Sequence, residues 1–153
     1  MRVADFVIKF LEDKGIKNVF TVSGGGSIFL CDALYKSKKL NYVSCHHEQA
    51  VSFATESYSR VKNKPGAAII TTGPGGTNCT TGVACCWIDS VPSIFISGQV
   101  YLNQTIKNTG LRQLGVQEFD IVSMVKTSTK YSVIIQTPES IKYHLEKAYY
   151  LSM

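Results

Sequence analysis

The run Cys45-His46-His47-Glu48-Gln49-Ala50 holds the residues best placed to do chemistry. It follows a short apolar run from Leu40 to Ser44 and opens a helix-like segment that reaches Val61. Glu48 therefore sits at the carboxyl end of an expected strand. Open α/β sheets bind ligands in the crevice outside such ends. A carboxylate there is either the acid/base of a site or a helix-opening residue interacting with the helix dipole. Position alone leaves both readings open. His46 and His47 are adjacent and point in different directions at a helix start, and no third ligand stands at metal-site spacing, so no metal is expected in this chain. No G-x-S-x-G elbow supports a serine hydrolase.

Two glycine-rich turns follow expected strands, at 23–27 and 73–76. Such turns let backbone approach a ligand closely and aim amides at an anion. The dinucleotide fingerprint is not completed, because Asn78 stands at its third glycine position. Neither turn is followed by the lysine of a phosphate-binding loop. A nucleotide-binding α/β protein is the weaker reading for that reason.

Strands and helices that would position these residues alternate along the chain. Helical periodicity covers Val3 to Lys14, and Asn18 to Val22 reads as a strand. Ile28 to Tyr35 reads as helix, Asn41 to Cys45 as strand and His47 to Val61 as helix. Ala67 to Thr71 is an unbroken apolar run, as in a parallel strand buried on both faces. A helix is expected over Cys79 to Ile88, a strand over Ser93 to Ser97 and a short helix within Val116 to Val125. Lys130 to Gln136 reads as another strand. Pro138 to Tyr150 reads as a last helix, with Thr137 as N-cap. The pattern predicts a three-layer α/β/α domain with a mainly parallel sheet. No linker divides the chain, so residues 1–153 form a single domain.

Composition excludes several classes. The net charge of +5 is mild and its lysines are scattered, unlike the clustered basic face of a nucleic-acid binder. No apolar run reaches the roughly 18 residues of a membrane span. Five cysteines lack metal-ligand spacing and fit reduced thiols in a cytoplasmic compartment.

Three segments stand in a fixed order: His47-Glu48-Gln49-Ala50, then Lys64-Pro65-Gly66, then Thr72-Gly73-Pro74-Gly75-Gly76-Thr77-Asn78. They continue into Asp89-Ser90-Val91-Pro92, Ile96-Ser97-Gly98-Gln99-Val100 and Gln117-Glu118-Phe119-Asp120. Together they resemble the amino-terminal, pyrimidine-binding domain of thiamine-diphosphate-dependent enzymes, in the acetolactate synthase-like branch. The resemblance implies the thiamine-diphosphate-binding fold. It implies that Glu48 hydrogen-bonds N1′ of the cofactor's aminopyrimidine and favours the imino form that removes the thiazolium C2 proton. It places Thr71, Pro74 and Asn78 around the aminopyrimidine. It places Ser23 and Gly24 over the partner subunit's cofactor, and Gln117 beside the reacting carbons. Glu48 and Gln117 are then the catalytic residues.

The implied function is the pyrimidine half of a 2-oxo-acid decarboxylating and carboligating enzyme, a lyase or transferase using a substrate such as pyruvate. The alternative is a non-catalytic regulatory or interaction module on the same fold. The family's usual Tyr-Pro-Gly-Gly turn is Val22-Ser23-Gly24-Gly25 here, and Val116 replaces the usual phenylalanine before Gln117. The segment between Gln99 and Gln117 is longer than in common acetolactate synthases. The Gly-Asp-Gly and Asn-Asn motifs that hold the diphosphate and Mg²⁺ are not in these residues, nor is the Gly-Pro-Val-type strand that ends the family domain. The chain reads as truncated at its carboxyl end, needing a separate diphosphate-binding domain or chain, in a homodimer or tetramer. FAD is possible in the full enzyme.

Overall fold

A computed structural model describes residues 1–107 and 109–153. Eleven elements of regular structure matter here. They are α1 (Val3–Asp13), β1 (Asn18–Thr21), α2 (Ile28–Lys36), β2 (Asn41–Ser44), α3 (Glu48–Lys62), β3 (Gly66–Ile70), α4 (Pro74–Asn78), α5 (Thr80–Ile88), β4 (Ser93–Ser97), α6 (Ile121–Val125) and α7 (Ile141–Ser152). Among the described residues the four strands form one parallel sheet in the order β2-β1-β3-β4. Val19 lies beside Ala67, and Ile70 beside Ser97, so the carboxyl ends of β1, β3 and β4 share one edge of the sheet.

Side chains on β3 alternate between two cores, as the period of a strand requires. Ala67 and Ile69 face a cluster built with Val7, Leu11, Leu34 and Leu145 from α1, α2 and α7. Ala68 and Ile70 face the opposite cluster, with Val51 of α3 and Cys79. All five residues of β3 are buried, so it is the spine of the three-layer architecture predicted from the sequence. Helices cover both faces of the sheet.

The sheet order places the topological switch between β1 and β3. β2 lies to one side of β1, and β3 and β4 lie to the other. In doubly wound sheets, that switch is where loops diverge and leave a crevice.

Buried hydroxyls lock α3 onto the spine. Ser59 Oγ donates to the Thr55 carbonyl at 2.7 Å and accepts from the Gly66 amide at 2.8 Å. Ser59→Ala leaves that buried amide without its acceptor. Urea unfolding should show a loss of about 1–2 kcal/mol.

Three expected elements differ from the structure. The helix expected from Cys79 is preceded by a separate turn of helix, α4. Pro74 supplies a fixed φ at its start, and Gly73 reverses the chain with φ +59°. The helix expected within Val116 to Val125 is confined to α6. Gln117 takes φ +58°, which no α-helix accommodates. Asp120 then caps α6 by accepting from the Ser123 amide at 3.0 Å.

The strand expected over Lys130 to Gln136 is the clearest departure. From Tyr131 to Gln136 the chain carries no assigned strand. It runs along an apolar trough of about 680 Å³ that also borders β4, lined by Ile94, Ile96, Val133, Ile135, Leu145 and Leu151. Among the described residues β4 pairs only with β3, and the trough lies between β4 and this segment. Strand propensity without a ladder partner leaves no sheet.

Candidate functional site

Glu48 is the first residue of α3. His47 caps that helix, its Nδ1 accepting from the Gln49 amide at 3.1 Å. The histidine is thus occupied in setting the helix start. Glu48 Oε2 accepts from Asn78 Nδ2 at 2.9 Å, across 30 residues of sequence. Asn78 is the last residue of α4. The Cys79 thiol donates to the Glu48 carbonyl at 3.2 Å. Backbone and side chain of Glu48 are therefore both fixed from the α4–α5 junction.

Among the described residues no donor reaches Glu48 Oε1. A methyl group on Gly75 would stand 3.5 Å from this oxygen and only 2.6 Å from Thr71 Cγ2. The glycine is what allows the turn after β3 to lie so close to the carboxylate. Glu48 is half-buried rather than enclosed, with its exposed neighbours Gln49 and Ala50 beside it.

Thr71 follows β3 directly and links the two glycine turns. Its Oγ1 accepts from the Gly26 amide at 3.1 Å. A methyl group on Gly24 would lie 2.6 Å from Thr71 Cβ. Gly24 itself has extended backbone (φ −170°, ψ 166°), so this contact is what demands glycine there. Both turns are supported from the residues that follow β4. A methyl group on Gly98 would lie 2.1 Å from the Gly26 carbonyl oxygen. Thr72 Oγ1 donates to Gln99 Oε1 at 2.7 Å.

The structure brings Gly24, Thr71, Glu48 and Asn78 together at the β1/β3 switch. Pro74 opens α4 with an exposed ring, and Ser23 is exposed on the turn before Gly24. Gln117 joins through its backbone. Its carbonyl oxygen lies where a side chain on Gly73 would begin, at 2.0 Å from the ideal Cβ. Its side chain is exposed. Gly75, Cys79 and Gln99 also belong to this construction. The glycine-rich turn pointed to the first, and an isolated cysteine or glutamine in sequence carries no signal for the others.

Among the described residues, no three His, Cys, Asp or Glu side chains gather into a metal-sized group, and no helix is long and apolar enough to cross a membrane. All five cysteines are free. Burial pushes the Cys79 thiol from its ordinary 9.0 up to about 12, and the nearby Glu48 charge adds to the shift. The folded pKa lies above the unfolded one. The associated stability is therefore fully present below pH 9 and is lost as pH rises from there toward 12. Cys79 should stay unlabelled by iodoacetamide at pH 8.5 in the folded chain, with a rate roughly a thousandfold below that of a free thiol. Mass spectrometry after labelling, with a urea-unfolded control that labels fully, checks this.

A carboxylate with one oxygen held and one open, beside two close glycine turns at the switch point of a parallel sheet, defines a cofactor-binding α/β domain. Residues 1–124 match the family described as thiamine pyrophosphate enzyme, N-terminal TPP binding domain, and the chain belongs to that family. It is similar to the chloroplastic acetolactate synthase of Arabidopsis thaliana, at 36% identity over 97% of this chain and 21% of the relative. It is 33% identical to the acetolactate synthase large subunit of Haemophilus influenzae, and 32% to the isozyme 3 large subunit of Escherichia coli. Both alignments cover 97% of this chain and 25% of the relative. The chain thus spans about a quarter or less of the length of these relatives.

Proposed function

We propose that this domain holds the aminopyrimidine of thiamine diphosphate and that Glu48 activates it, within a 2-oxo-acid-converting enzyme like the acetolactate synthases. The observation that carries the reading is the Glu48–Asn78 pair. Asn78 fixes Oε2 at 2.9 Å, and Oε1 is left facing the Gly75 turn without a donor. An aminopyrimidine ring nitrogen that shares a proton suits such an oxygen. Glu48 accepts or gives that proton at Oε1, and the Asn78 amide keeps the carboxylate in one orientation. Thr71 and the Pro74 turn wall the ring. Ser23 and Gly24 stand on the turn that would cover a partner subunit's cofactor, and Gln117 is the side chain toward substrate. Thiamine diphosphate, when bound, supplies an electron sink for decarboxylation of the 2-oxo acid.

The diphosphate and its Mg²⁺ fall to another domain or chain, since no acidic cluster for them gathers among the described residues. The assembly is then a homodimer or tetramer of a longer enzyme, or a complex with a separate diphosphate-binding chain. Flavin, if used, binds outside these residues. Free thiols support a reducing, cytoplasmic setting.

The test combines the chain with the diphosphate-binding half of a related acetolactate synthase, Mg²⁺ and thiamine diphosphate. Proton NMR follows hydrogen–deuterium exchange at the thiazolium C2. Exchange at least about a hundredfold faster than with the partner half alone is expected, the scale of one positioned acid/base group. No acceleration, with complex formation verified by gel filtration, would reject the assignment.

A further inference from the structure

Glu118 has no role in the reading so far, although it is one of the few buried acidic side chains, at 9% exposure. Its Oε1 accepts from the Ile106 amide at 2.5 Å. Its Oε2 accepts from the Leu114 and Gly115 amides at 3.3 and 3.4 Å. Its own amide donates to the Gly115 carbonyl at 3.2 Å. One carboxylate thus gathers three main-chain donors from two places along a segment with almost no regular structure. At 3.3 and 3.4 Å the Leu114 and Gly115 bonds are individually weak, so the hold comes from three donors acting on one carboxylate together.

The gathered segment is seated against the rest of the domain at two points. Gly115 packs on Val100, where an added methyl would meet Cγ2 at 2.8 Å. The Gln117 carbonyl sits on Gly73. Between them, Gln117 is held at φ +58°. A left-handed backbone costs a non-glycine residue on the order of 1 kcal/mol and persists only where its surroundings over-determine it. The surroundings here are the Gly73 contact on one side and the Glu118 pin on the other.

We propose that Glu118 is a positioning residue: it ties Ile106 to the Leu114–Gly115 turn and thereby holds Gln117 in its left-handed conformation over the Gly73 turn. The role in presenting Gln117 to substrate rests on the function proposed above. The pin itself does not.

Trypsin supplies a probe, because Arg112 is exposed inside the pinned segment. Cleavage after Arg112 requires the segment to open, so its rate follows the open population. Glu118→Ala should raise that rate by about tenfold or more, as expected for losing several bonds to one charged group. Cleavage after Lys62, exposed at the carboxyl end of α3, provides the internal reference and should not change. Glu118→Gln keeps one acceptor oxygen but turns an NH₂ group toward the other donor set, so its rate should fall between those of wild type and Glu118→Ala.

A second variant reads the link to Gln117. Gln117→Gly removes the cost of the left-handed backbone, so in the Glu118→Ala background it should slow cleavage by about threefold. Two results would overturn the proposal. One is cleavage after Arg112 that stays within twofold in Glu118→Ala, or rises in parallel with cleavage after Lys62. The other is no suppression by Gln117→Gly. The readout contains neither cofactor nor substrate, so it succeeds or fails separately from the cofactor assignment.

Discussion

Glu48→Gln is expected to lower pyruvate decarboxylation by about 10²- to 10³-fold in the complex with a diphosphate-binding half, the range for losing one positioned acid/base group. The substitution is nearly isosteric. The amide oxygen of glutamine can still accept from Asn78 Nδ2, so the side chain keeps the orientation that the 2.9 Å bond gives it. The other terminal atom becomes an NH₂ group. It has two protons of its own and cannot share one from a ring nitrogen. Unfolding free energies from urea melts should therefore change by no more than about 0.5 kcal/mol, because no buried donor is orphaned. The pairing of lost turnover with kept stability separates a chemical role from the helix-opening role that position alone allows. Equal CO₂ release from wild type and variant would remove Glu48 from the chemistry.

Gly82→Ala should produce the largest loss of stability among single-methyl changes in the helices. Gly82 lies on α5 where that helix meets α3, the helix that carries Glu48. A methyl there would fall 2.2 Å from Ser52 Oγ, 2.4 Å from Ser52 Cβ and 2.9 Å from the Ser52 carbonyl carbon. The last contact is backbone, so no rotamer change relieves it and the helices must separate. Overpacking of this kind costs roughly 1–3 kcal/mol, and the helical gain of alanine over glycine offsets about 1 kcal/mol of it. Separation also reaches the site, because Asn78 and Cys79 precede α5 and hold Glu48 from that side. A net loss of about 1 kcal/mol should appear as a fall in Tm of roughly 2–4 °C for a domain of this size. Adding Ser52→Gly removes the two side-chain contacts but leaves the backbone one, and should restore only part of the loss. A Gly82→Ala variant as stable as wild type would show that the crossing distance does not limit this contact.

Much of the architecture was legible because its local signals agree. β3 is apolar throughout and is buried on both faces, as a central parallel strand must be. α1 shows helical periodicity, and its apolar stripe of Val7, Phe10 and Leu11 enters the larger core. Glu48 and Asn78 were legible as members of ordered motifs. Their hydrogen bond was not, because nothing in either segment encodes a contact made across the sheet edge.

Conformations imposed by tertiary contacts were the least legible. Val116 to Val125 has helical composition, but the seat of Gln117 on Gly73 forces a left-handed residue and delays the helix to Ile121. Lys130 to Gln136 has strand composition, but a strand is a property of two chains of residues and not one. Gly24 carries no sign in sequence that a threonine 47 positions later sets its size. Burial of Glu118 was equally hidden, since an acidic residue in an irregular segment ordinarily faces water.

The unshared side of β4 bears on how this chain behaves in solution. An edge strand with free amides and carbonyls is a template for other extended polypeptide, and natural sheets guard such edges with charge, proline or bulges. The sequence Ser93–Ser97, SIFIS, has none of these guards, and it opens onto an apolar trough rather than onto water. The net charge of +5 opposes such pairing, and added salt screens that repulsion, so light scattering from the isolated chain should rise with ionic strength.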